Sequence, residues 1–99
     1  MTKKSKRIRR LVAWLRPQVE FAIVDHWEGD LIAIGLACKE DHHQLVYIAE
    51  KQGKRTYFVE LETAPNAGTD FPYKCIARLE GLPRRNLPAI IRSHFHAND

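Results

Sequence analysis

Three carboxylates, Asp25, Glu28 and Asp30, cluster around Gly29, near enough in sequence to hold a divalent cation or to supply an acid and a base. Sites of that kind draw their ligands from several elements, whereas these three flank a single turn, so a solvated turn or a partner-binding patch is the expected role. Trp27 stands beside them, and an indole next to acids at a strand end has the amphipathic character of a binding hot spot. The five histidines do not have metal-ligand spacing. His42 and His43 are adjacent, His94 and His96 are two apart on a helical stretch, and Cys38 with His42 makes one pair where a structural zinc site shows two. No metal and no cofactor is expected. His94 falls within an apolar helical stripe, where it is read as a packing residue making one hydrogen bond. Cys38 and Cys75 lie in apolar strand patterns, where burial disfavours the thiolate that cysteine catalysis requires, and both are expected as buried free thiols. Ser5 and Ser93 are the only serines and neither sits in a nucleophile elbow. The glycines are scattered, with no phosphate-binding loop among them. An enzyme is not expected.

The elements that must position these residues follow from periodicity. From Lys6 to Leu15 the apolar residues Ile8, Leu11, Val12 and Leu15 recur at helical spacing, and Ser5 and Pro17 supply the start and stop signals. Five strands are predicted after Pro17: Val19 to Trp27, Leu31 to Cys38, Gln44 to Glu50, Arg55 to Glu62, and Tyr73 to Leu79. Connections this short favour an antiparallel meander, because a parallel pair needs a long crossover. Asn86 then caps a closing helix with the stripe Leu87, Ile90, Ile91, His94 and Phe95. The expected fold class is α+β: an antiparallel meander sheet of about five strands with an N-terminal and a C-terminal helix packed on it. Residues 1–5 are expected to form a flexible basic arm and residues 6–99 a single domain. In the fourth strand Tyr57, Val59 and Leu61 alternate with Phe58, Glu60 and Glu62, so the last three are expected on a wet face.

Charge is unevenly divided. The net charge is +4, yet residues 1–16 hold seven bases and no acid, leaving nine bases against twelve acids and a net charge of −3 for residues 17–99. An acidic body attracts basic partners, and a basic arm attracts phosphate. Lys6, Arg7, Arg10 and Trp14 are therefore the candidate nucleic-acid contacts, with Trp14 lying off the apolar stripe beside Arg7 and Arg10. The longest apolar run, Leu31 to Ala37, is far short of the roughly 20 residues that span a membrane. No apolar region follows the basic start, so neither a signal peptide nor a membrane partner is expected, and a cytoplasmic location is.

The succession HWEGDLIAIGLA, QLVYIAE, YFVELE and YKCIARLEG, closed by the helix NLPAIIRSHF, resembles the small immunity proteins of bacterial contact-dependent growth inhibition and polymorphic-toxin systems. The resemblance spans residues 19–96 and implies a non-enzymatic antitoxin that neutralises a cognate toxin domain by protein–protein interaction. The toxin would commonly be a basic nuclease. Charge analysis then nominates Asp25, Trp27, Glu28, Asp30, Glu60 and Glu62 as toxin contacts. The alternatives are a small nucleic-acid-binding protein using its basic N-terminal helix, and a homodimer that leaves the arm free.

Overall fold

The computed structural model describes residues 4–24, 31–51, 53–63 and 74–96. Helix α1 occupies Lys6–Leu15 and turns Ile8, Leu11, Val12 and Leu15 inward. Its start is fixed by Ser5, whose hydroxyl accepts the Ile8 N–H at 3.1 Å and donates to the Glu50 carboxylate. The Ser5 N–H also donates to the Leu31 carbonyl at 2.7 Å, and Lys4 is buried. Fraying, expected through residue 5, therefore does not extend to Lys4 and Ser5, because the capping residue is itself tied to the sheet.

Five strands follow: β1 Ala22–Ile23, β2 Ala33–Ala37, β3 Gln44–Glu50, β4 Thr56–Thr63 and β5 Lys74–Pro83. They form one antiparallel sheet in the order β1-β2-β3-β4-β5, the meander that the short connections dictate. A short 3-10 turn at Arg84–Asn86 leads into α2, Leu87–Phe95. Asn86 holds the cap position of α2 without a side-chain cap bond, and Pro88 sits in the first turn, where no helical N–H is lost.

Register explains the layering. Ile34, Ile48, Val59 and Leu79 form one row across the sheet and Leu36, Val46, Leu61 and Ala77 the next. The large residues of both rows join the α1 stripe, Leu87, Ile91 and Phe95 in a single cluster, so both helices cover one face. Burying each aliphatic side chain contributes roughly 1.5–3 kcal/mol, which makes this cluster the chief source of stability. On the other face Ala33, Ala37 and Leu45 are buried, and Tyr47 meets Phe58 edge to face at 6.4 Å.

Two strands depart from the predicted limits. Among the described residues β1 pairing starts only at Ala22, because Gln18 and Val19 both donate back to the Leu15 carbonyl, at 2.9 and 3.0 Å, turning the chain after Pro17. Val19 and Phe21 are buried in the helix-side cluster. The predicted extension to Trp27 runs outside the described residues. At the other edge, β5 runs past Leu79 because Glu80 and Gly81 together oppose Phe58, a bulge with Gly81 at φ +67°. A second irregularity leaves Ile76 unmatched between Ala77 and Cys75. Among the described residues, no helix is long and apolar enough to cross a membrane.

Candidate functional site

The bulges in β5 decide where its end points. Thr56 pairs with Pro83, so the turn between β3 and β4, carrying Lys54 and Arg55, lies beside Arg84 and Arg85 at the entry to α2. The N-terminal half of α1 closes the same corner. Arg7 clamps it there: Nη2 donates to the Thr56 carbonyl at 3.0 Å, Nη1 to the Lys51 carbonyl at 3.3 Å, and Nε to the Tyr57 hydroxyl at 3.3 Å. The Arg7 guanidinium also lies 4.6 Å from the Tyr57 ring centre.

A cleft of about 660 Å³ results, lined by Arg7, Trp14, Lys54, Arg55, Tyr57, Pro83, Arg84 and Arg85. An adjoining hollow of about 420 Å³ is lined by Lys6, Arg7, Arg10, Leu11, Tyr57 and Arg84. The two share Arg7, Tyr57 and Arg84 and so form one continuous track. Among the described residues seven cationic side chains border it and no carboxylate does. Like charges repel, and a wall of unneutralised cations focuses a positive potential into the concavity between them. Trp14 is half-buried against the core, and the Arg84 guanidinium sits 4.6 Å from its ring centre. The contact is of cation–π type and draws an exposed cation toward the indole.

The sequence-nominated set Lys6, Arg7, Arg10 and Trp14 is thus brought together in one place, although Arg7 has a structural task as well. Lys54, Arg55, Arg84 and Arg85 were missed. Their signal was present as two dibasic pairs, one at a turn and one before a helix, and was lost when charge was averaged over residues 17–99.

The acidic set fares differently. Asp25, Trp27, Glu28 and Asp30 lie outside the described residues. Glu60 faces Arg78, whose Nε is 3.4 Å from its carboxylate. Glu62, expected on a wet face, is buried, with one carboxylate oxygen lacking a hydrogen-bond partner. Burial pushes its carboxyl up to about 7, the adjacent Glu60 adds to this by its charge and a hydrogen bond, and Arg78 opposes it. The wet-face expectation is therefore corrected for Glu62, and a buried, half-neutral acid offers little charge to a basic partner.

His94 is the packing residue expected of it. It is buried, and its Nε2 donates to the Glu62 carbonyl at 2.9 Å. Cys38 is a buried thiol directed at the Phe95 carbonyl, whereas Cys75 is only half-buried, because it lies on an edge strand next to a bulge. Among the described residues no three His, Cys, Asp or Glu side chains converge on a common point.

No protein-family model, no curated protein and no solved structure matches this chain.

Proposed function

We propose that this protein is a non-enzymatic binding protein that takes nucleic acid into the basic track between α1, the β3–β4 turn and the start of α2. The observation that carries the reading is the convergence of seven cations from three distant segments on one concavity with no bordering carboxylate among the described residues. Surface cations are ordinarily interspersed with acids, and leaving them concentrated costs stability unless an anion relieves the repulsion. A phosphodiester chain supplies regularly spaced negative charge along a track, and its binding is strengthened by release of condensed counterions.

A second reading is the antitoxin. The outer edge of β5 is unpaired among the described strands, and Ile76 stands 54% exposed on it. An open edge with an exposed apolar residue is a surface on which a protein partner can dock.

One experiment separates the two. The tagged protein is used to capture partners from its own cells, and the purified protein is titrated with a labelled polynucleotide between 50 and 300 mM salt, beside the variant K54A/R55A/R85A. Nucleic-acid binding predicts that log K falls linearly with log salt, and that the triple variant flattens the slope by about 2 for a single strand. Affinity indifferent to both salt and the triple substitution overturns the reading. Stoichiometric capture of a protein that survives nuclease treatment and is toxic when expressed alone decides for the antitoxin.

A further inference from the structure

Resting on the nucleic-acid reading, we infer that the Trp14–Arg84 stack is a base-stacking platform and that the strand taken by the track is single. The argument starts from Arg84. Its guanidinium carbon lies over the Trp14 ring, 4.6 Å from the ring centre, and Arg84 lines both hollows. A guanidinium held against an indole at a cleft wall is suited to an unstacked nucleobase, which arginine planes and aromatic rings bind alike. The indole fixes the arginine, the arginine carries the base, and the neighbouring phosphates meet Lys54, Arg55 and Arg85 on one side and Lys6 and Arg10 on the other.

The shape of the site selects among nucleic acids. In a duplex each base is already stacked on both faces and shows only its edges in the grooves, so a guanidinium at a cleft wall finds no open base face. In a single strand the bases can splay outward while the backbone follows the cations. The track also runs through two adjoining hollows that share Arg7, Tyr57 and Arg84, the form that accommodates a chain. A free nucleotide would occupy one hollow and leave the cations of the other unanswered.

The variant that tests this is Arg84→Lys. Arg84 is exposed, so the fold is not at risk, and lysine keeps the charge while losing the plane. Four probes are compared by fluorescence anisotropy at 100 mM salt: a 20-nucleotide single-stranded RNA, the same strand as DNA, the corresponding duplex, and an abasic phosphodiester strand of equal length. The expected result is that the tighter of the two single strands binds at least 10-fold better than the duplex. Arg84→Lys should weaken that strand by roughly 10-fold, the usual scale of one lost base stack, and leave the abasic strand and the duplex unchanged. If salt-dependent binding persists but Arg84→Lys affects all four probes equally, or none, the platform is refuted while the nucleic-acid reading stands. If the duplex equals or exceeds the single strand, the strandedness is refuted. Absence of salt-dependent binding to every probe removes the reading on which both rest.

Discussion

Glu62 shows how one side chain can report on its burial. Its carboxyl is pushed up to about 7 from 4.5, first by desolvation and then by Glu60. The folded protein therefore holds a proton that the unfolded chain releases near 4.5. The resulting stability is fully present below about pH 4.5 and is lost as pH rises through about 7, the opposite of a salt-bridged carboxylate. Replacing Glu62 with glutamine removes the ionisable group at nearly constant shape. The prediction is that the stability difference between Glu62→Gln and the wild type grows in favour of the variant from pH 5 to pH 8, reaching about 1–2 kcal/mol. Thermal melts of both proteins across that range check it, and a difference independent of pH would show that the carboxyl ionises freely. Alternation along β4 placed Glu62 on the face away from the helices, and that much was legible in the sequence. Its burial was not, because the inference that the second face is wet came from three residues of one strand. Across the sheet that face carries Ala33, Ala37 and Leu45, all buried.

At the scale of elements, legibility depended on whether a segment's pattern served one partner or two. The α1 limits were readable to the residue because a single stripe, a capping serine and a proline all agree. The β3 limits were equally clear from a run paired on both sides. The strand expected from Val19 begins later, at Ala22, because Val19 and Phe21 pack in the helix-side cluster instead of lengthening the ladder. The end of β5 failed for the opposite reason. The expected strand stops at Leu79, yet Gly81 lets it continue, since its φ of +67° forms the bulge. An added Cβ would meet no atom within 4 Å, so Gly81→Ala isolates the backbone term alone. The variant is expected to lose about 1–2 kcal/mol, seen as a lower urea midpoint at unchanged slope. It should also weaken polynucleotide binding, because the bulge directs Pro83, Arg84 and Arg85 toward α1. Full stability in Gly81→Ala would mean that β5 reaches the cleft without this conformation. The α1 geometry likewise limits truncation: removing residues 1–10 would delete Ile8 from the core along with the cations.

For the whole molecule the decisive quantity is where charge collects, and sequence averaging obscured it. Residues 17–99 sum to −3, but the fold carries two of their dibasic pairs to the corner already occupied by Lys6, Arg7 and Arg10. Segments more than 25 residues apart in the chain meet only because the meander's register pairs Thr56 with Pro83, and no local pattern announces that meeting. Such an arrangement has a thermodynamic signature of its own, separate from any ligand. Unneutralised cations held together repel, the repulsion is relieved on unfolding, and salt screens it over a length of about 10 Å at 0.1 M. The free protein is therefore expected to melt a few degrees higher at 300 mM than at 20 mM salt. The triple variant K54A/R55A/R85A should be more stable than the wild type at 20 mM, with a flatter response, since it removes the source of the repulsion. These exposed side chains contribute little packing, so their loss has no comparable opposing cost. The contrary result, a triple variant less stable than the wild type at low salt, would mean that the cations are engaged within the protein, and the track would then lose its claim to be a site kept open for an anion.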